Sequence, residues 1–378
     1  MRLTDAQTRF AQAVEQACID LAGTDEKRRA LSANDTLLNA DEAFALLAER
    51  RLLGVSLPAE YGGGGGTFVE DCILLEKTAE YGVPVMAYST ALTAAQSYLR
   101  HGNDAQRRLI VETIVRGGRE SVSFTEPDAG SDLARATTRA VRDGDEWVID
   151  GRKTWISFAH LAEHLLLLTR TDDSGDRHDG LSLIMVPRDT LGVEVVPITT
   201  MGAHMVNDVY LRGVRVPAEN LVGTEGEAWR HIGRGLAVER VIIAAMSVGA
   251  AQRALDQLIG WVTQREQFGK PLAKQQALRH RIADLAAQIS VVRSYVYDVA
   301  DRIDRGEEDS LNGEASAAKL TGSEIYKKTT LEAVQLMGGY GYGSEWGMEQ
   351  QLRTSIAPTI YGGANEVQRE IIARSLGL

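Results

Sequence analysis

Between Trp229 and Gln264 apolar residues recur at the i, i+3, i+4 spacing of a helix for roughly nine turns. That is longer than the average globular helix, and an apolar stripe of such length has to be covered by neighbouring helices. It therefore predicts helical structure throughout the chain's last part. Ahead of it the pattern differs. From about 119 to 225 the period becomes that of strands, in "RDGDEWVIDGRKTWISF", "HLLLLTRT", "GLSLIMV", "GVEVVPI" and "DVYLRGVRV". "DGDE" and "DGRK" read there as hairpin turns. The first 118 residues again read as helices, for example "DEAFALLAERRLLG", which the pattern ends on Gly54. The expected organisation is a helical domain over 1–118, a β domain over 119–225 and a helical domain over 226–378. The run Gly62–Gly66 reads as a plain flexible linker between helices, because no predicted strand precedes it.

Composition narrows the function. A net charge of −11 argues against a nucleic-acid or anionic-membrane partner, since both need clustered Lys and Arg. Only two cysteines occur, Cys18 and Cys72, which is no disulfide framework. No basic-then-apolar leader opens the sequence, and no uninterrupted apolar run of membrane-spanning length is read in it. The expectation is a cytoplasmic, multidomain, soluble protein.

Motifs narrow it further. "HLAEH", His160–His164, has the H-x-x-E-H form of a zinc-protease signature, but it lies between two strands with no long helix to present the ligands. It is expected to bind no metal. No Walker loop and no strand-coupled G-x-G-x-x-G is present. The stretch "SVSFTEPDAGSDLARATTRAVRDGDEWVIDGRKTWISF" is more informative. It sets hydroxyls (Thr125, Ser131, Ser157), backbone donors near Gly130 and an aromatic plane (Trp155) close together. Such a set can hydrogen-bond a heterocycle and a pyrophosphate while stacking on a flat ring, although Ser/Thr-rich turns are often only turns.

In this stretch and others the sequence resembles the acyl-CoA dehydrogenases. "LPAEYGGGG", "FTEPDAGSD", "GRKTWIS", "VRVPAENLVG", "REQFGKPL", "QLMGGYGY" and "YGGANEVQREIIAR" follow one another in that family's order. The resemblance implies an N-terminal α-helical domain, a middle β-barrel-like domain, a C-terminal four-helix bundle and FAD as cofactor. By the same resemblance, Thr125 matches a hydroxyl on the flavin's pyrimidine edge, and Ser131 a donor near the pyrophosphate. Trp155 matches a ring beside the isoalloxazine, and Ser157 the hydroxyl next to flavin N5. Phe124, Ala364 and Glu366 fall at further cofactor-lining positions. Arg265 and Phe268, with Gln335 and Gly339, match positions that reach the FAD of a neighbouring subunit, which implies a homotetramer. Arg240, Tyr361, Gly362 and Ser131 match substrate-lining positions. Ala364 stands where the family usually has Thr, and "FAH" follows Ser157 where Asn-Gly is common.

The double-glycine turn "YGGAN" carries no acid, although many family members place the catalytic glutamate directly after its tyrosine. Members resembling the long-chain and isovaleryl branches place it on the long helix, in a Glu-Arg pair. "LAVERVIIAA" supplies Glu239 and Arg240 in that register. Three and four residues from Glu239 stand Gly235, Leu236, Ile242 and Ile243, an apolar face on which desolvation would raise a carboxylate's pKa. The alternative is a surface glutamate in an imperfect pattern. The reaction implied is α,β-dehydrogenation of an acyl-CoA or acyl carrier protein thioester. In it Glu239 takes the α-proton, the β-hydride goes to flavin N5, and the backbone N–H of Gly362 with a flavin hydroxyl polarises the thioester carbonyl. An electron-transferring flavoprotein is the implied acceptor. A flavin oxidase or monooxygenase on the same fold, or a catalytically silent partner subunit, remains as an alternative. His204 and Asn207 in "MGAHMVNDVYL" read either as polar contacts to substrate or as a satisfied loop pair.

Overall fold

The computed structural model describes residues 3–34 and 36–378, with backbone alone at 233–235. Six helices come first: α1 (Asp5–Ala22), α2 (Asp25–Leu31), α3 (Asp41–Glu49), α4 (Phe68–Tyr81), α5 (Ala87–His101) and α6 (Asp104–Val115). Their starts are written in the sequence. Thr4 with Gln7, Thr67 with Glu70 and Asn103 with Gln106 each form a capping box, in which side chain and backbone satisfy one another across the first turn. Helix α3 ends at Glu49, short of Gly54, because Arg51 and Gly54 both turn left-handed. The Gly62–Gly66 run is no loose linker. The N–H groups of Gly64, Gly65 and Gly66 bond to the carbonyls of Gly54, Leu57 and Val55, so the run folds back on the chain before it.

Strands follow: β1 (Glu120–Ser123), β2 (Arg139–Asp143), β3 (Glu146–Ser157), β4 (His164–Arg170), β5 (Leu181–Pro187), β6 (Val193–Pro197), β7 (Val206–Pro217) and β8 (Leu221–Val222). They form one sheet in the order β6-β7-β3-β2-β4-β5-β8, with β1 parallel to β4. "DGDE" is the tight β2–β3 hairpin. "DGRK" is not a turn. Strand β3 runs straight through it, and the glycine marks a shift in register against β7 between Ile149 and Gly151. Such a bulge absorbs one residue without ending the strand. Trp147, Ile149, Leu165 and Leu167 fill a core of the sheet's own.

The third region holds α7 (Ala228–Gln264), a two-strand ribbon of β9 (Glu266–Gln267) and β10 (Lys270–Pro271), α8 (Gln276–Asp304) and α9 (Asn312–Met337). The short α10 (Gly339–Tyr342) precedes α11 (Met348–Ile356) and α12 (Asn365–Ser375). Helix α7 is the axis of the molecule. It packs against α9, α4, α8 and α5, and its apolar residues join one continuous core with those of the N-terminal helices. It is long and apolar enough to cross a bilayer, but most of it is covered by these helices. Contact with α4 is so close that a side chain at Gly249 would strike the Glu76 carbonyl. The Asp304 carboxylate at the end of α8 accepts from Phe68 N (2.7 Å) and Val69 N (3.1 Å) at the start of α4. A negative charge at that helix end joins the first and last regions.

Candidate active site at the glycine turn

Glu239 lies in the first half of α7, partly buried, and Gly362 faces it from the turn before α12. Gly362 has φ +62°, and a Cβ built there would stand 3.8 Å from Glu239 Oε1. The helix position of Glu239 and the turn position of Gly362 therefore adjoin in space. The same Cβ would collide with Ile243 Cδ1 at 2.2 Å, so glycine here meets both a left-handed backbone and a lack of room. Burial raises the pKa of Glu239, against the nearby positive charges of Arg240 and Lys319. Arg240 makes no ion pair with it and donates instead to Asn312 Oδ1 at 3.2 Å. Among the described residues the N–H groups of Gly362 and Gly363 have no hydrogen-bond partner. Tyr361, next to them, lines a cavity of about 130 Å³ that runs between α4, α7 and α11, past Leu75, Val85, Met86, Met246 and Ala250. A carboxylate with a raised pKa, free N–H donors and an apolar cleft are the parts of a proton-abstraction site.

The sheet contributes a second group of residues. Thr154 N donates to Thr125 O at 3.0 Å, and Ser121 Oγ to Ser157 O at 2.7 Å, which aligns Thr125, Trp155 and Ser157 along one edge. Trp155 has φ +59° at a register shift of β3 and is 57% exposed. A large aromatic in a left-handed conformation is a strained placement, of the kind found at binding sites. Phe124 is partly buried, and its carbonyl accepts from Lys153 Nζ at 3.1 Å. Ser131 is exposed beside Gly130, where an added Cβ would meet nothing. The hydroxyls of Thr125, Ser131 and Ser157 bond to nothing among the described residues. Open hydroxyls, a bare ring and an open glycine loop fit a flavin and its pyrophosphate.

The remaining residues expected near a cofactor lie farther off. Arg265 stacks its guanidinium over Tyr340, the neighbour of Gly339, at 5.3 Å. Phe268 sits at the tip of the β9–β10 ribbon, 93% exposed, and Gln335 and Gly339 are exposed as well. Ala364 caps α12 with no side-chain hydrogen bond. Glu366 is exposed and pairs with Arg369 at 3.4 Å. The two histidines of "HLAEH" part company. His164 Nδ1 bonds to Glu120 Oε1 at 2.8 Å, while His160 bonds to Asn207. No metal-holding cluster of His, Cys, Asp and Glu occurs among the described residues. Asn207 is buried in β7, bridges His160 and His204 and donates to Ile156 O at 3.0 Å, so it is a satisfied strand residue and not part of a loop.

The sequence was matched over 4–118 by the model of the acyl-CoA dehydrogenase N-terminal domain, over 121–214 by the middle domain and over 226–377 by the C-terminal domain. The chain belongs to the acyl-CoA dehydrogenase family. It is 34% identical over 341 residues to a probable acyl-CoA dehydrogenase, YngJ, of Bacillus subtilis (strain 168), covering 89% of each chain. It superposes on butyryl-CoA dehydrogenase of Megasphaera elsdenii with TM-score 0.91 and 28% identity, over all of both chains. A chain from work on the electron transferring flavoprotein of Acidaminococcus fermentans gives TM-score 0.90 at 28% identity, covering 100% of this chain and 99% of that one. As an acyl-CoA dehydrogenase the chain is a FAD-dependent oxidoreductase, and the unbonded hydroxyls of Thr125, Ser131 and Ser157 with the exposed Trp155 ring are groups that could hold that cofactor.

Sequence reading missed what lies beneath the turn. Lys319 on α9 is fully buried, and its ammonium donates to Gly363 O at 2.8 Å and Asn365 Oδ1 at 3.0 Å. Gln368 on α12 donates to the carbonyls of Gly362 and Gly363. The one available signal was a lone lysine inside the small-residue run "ASAAKLTG".

Proposed function

We propose that this acyl-CoA dehydrogenase removes the α-proton of its thioester with Glu239. The observation that carries the reading is the 3.8 Å between Glu239 Oε1 and the place a side chain on Gly362 would begin. A base on the helix thus serves the same point as a base on the turn. The N–H of Gly362 donates to the thioester carbonyl, which acidifies the α-carbon. Arg240 and Lys319 supply positive charge that offsets part of the burial and favours the carboxylate form of Glu239. The cleft beyond Tyr361 takes the acyl chain and excludes water. FAD, when bound, supplies the acceptor for the β-hydride.

The thioester assigned is an acyl-CoA, in keeping with the family, and electron transferring flavoprotein is assigned as the acceptor. Exposed Phe268, Gln335 and Gly339 favour a homotetramer that covers them, and the cytoplasm remains the assigned compartment. Replacing Glu239 with Gln keeps shape but removes the proton acceptor, and flavin bleaching by acyl-CoA should slow by about 10²–10⁴-fold. FAD content should not change. Near wild-type bleaching in E239Q would refute the base. Moving the acid to the turn as E239G/G362E meets Ile243 and the left-handed backbone, so recovery of activity is expected only when I243A is added.

A further inference from the structure

Two glycines in succession are the most permissive backbone a chain can offer, yet the turn they form has little freedom. Gln368 Nε2 donates to Gly362 O at 3.0 Å and to Gly363 O at 2.9 Å. Lys319 Nζ donates to Gly363 O as well, and to Asn365 Oδ1. Asn365 is fixed in turn by Ser323 Oγ (3.1 Å) and Glu324 Oε1 (2.9 Å). Lys319, Asn365 and Gln368 are all buried. The Gly362–Gly363 and Gly363–Ala364 peptides are therefore held from the core side, which fixes the turn immediately after the unbonded Gly362 N–H.

From this geometry we propose that Lys319 is a positioning residue for the reaction. Its ammonium locks the glycine turn through Gly363 O, and its charge, facing Glu239 across the α7–α9 contact, favours the carboxylate form of the base. The proposal rests on Glu239 being that base. The charge side of it is well bounded. Glu239 faces Arg240, Lys319 and Tyr361, while Lys319 faces Glu239, Glu366, Arg240 and Glu324. Arg240 is turned to Asn312, so Lys319 is the cation joined directly to the turn. Burial brings Lys319 down to about 8, which leaves it charged at neutral pH.

The test is α-proton exchange in D2O, followed by NMR, on the FAD-loaded enzyme with 3,3-dimethylbutyryl-CoA. This thioester has α-hydrogens but no β-hydrogen, so exchange reads proton abstraction without oxidation. K319M should lower the exchange rate by about 10²-fold, the scale of a small misplacement of reacting groups. It should also move the acid limb of the pH–rate profile upward, because a cation beside the carboxylate is gone. Q368L loses turn contacts but no charge, and should slow exchange with the limb unmoved. K319R keeps the charge and should return the limb toward wild type. A folded K319M with wild-type rate and limb overturns the proposal. Should K319M not fold, a wild-type rate in Q368L overturns the clamp, and a raised limb in K319R overturns the charge role. If E239Q exchanges like wild type, the base assignment itself fails, whatever Lys319 does.

Discussion

Two lysines are completely buried among the described residues, Lys153 in β3 and Lys319 in α9, and burial lowers both to about 8. Their surroundings differ. Lys153 meets the Glu126 carboxylate at 2.7 Å, and Glu126 also accepts from Thr137 N, Thr137 Oγ1 and Thr138 N. Burial pushes Glu126 up, but the lysine and these bonds overcome it and hold it at about 2. That pair is closed upon itself, and with the bond from Lys153 to Phe124 O it anchors the "FTEP" turn. Lys319 has neutral acceptors only within bonding distance, and the carboxylate that feels it most, Glu239, is not bonded to it. A buried cation with its anion in contact is scaffold. One whose anion is left unbonded keeps that anion available for chemistry.

Breaking each lysine tests this contrast. K153M strands Glu126 in the core and should cost about 3–5 kcal/mol of stability in denaturant unfolding. A loss below about 1 kcal/mol would mean the pair is not the anchor described. K319M removes hydrogen bonds to neutral groups and should cost less, about 1–3 kcal/mol, while acting far more on proton abstraction. A stability loss larger than that of K153M would make Lys319 scaffold too. The smallest effect separates the two carboxylates by sign. Glu126 has a depressed folded pKa, so it contributes stability above the ordinary carboxylate range that is lost as pH falls toward about 2. Glu239 has a raised one, so its ionisation opposes folding above that range. E239Q should therefore be slightly more stable than wild type at pH 8, and the difference should vanish as pH falls through the carboxylate range. An E239Q protein that is less stable at pH 8 would show the charge to be fully compensated.

The same contrast explains what could be read from the sequence. Helix α7 and strands β4, β5 and β7 were legible because their periods are local, and Glu239 could be placed on an apolar face by counting along one helix. The Thr4, Thr67 and Asn103 caps are equally local signals. Gly151 misled, since a glycine within "DGRK" looks the same whether the chain turns or bulges, and only pairing with β7 decides. Lys319 was invisible for a similar reason. Its burial depends on α7, α9 and α12 converging, and nothing within its own helix announces the Gly363 carbonyl 44 positions away. The place of Glu239 on its helix was legible; the lysine beneath the turn was not.

Trp155, held bare at the register shift of β3, has a use beyond its role in the fold. The chain has five tryptophans, and this ring is the most solvent-exposed of them at 57%, while Trp147 is sealed in the sheet core. In the cofactor-free protein its fluorescence should dominate the red edge of the emission band. A flavin seated against it would quench that edge first and leave the blue emission of Trp147 less affected. With a flavin against this ring, the molecule would carry its own optical gauge of cofactor occupancy, readable without turnover and without a label.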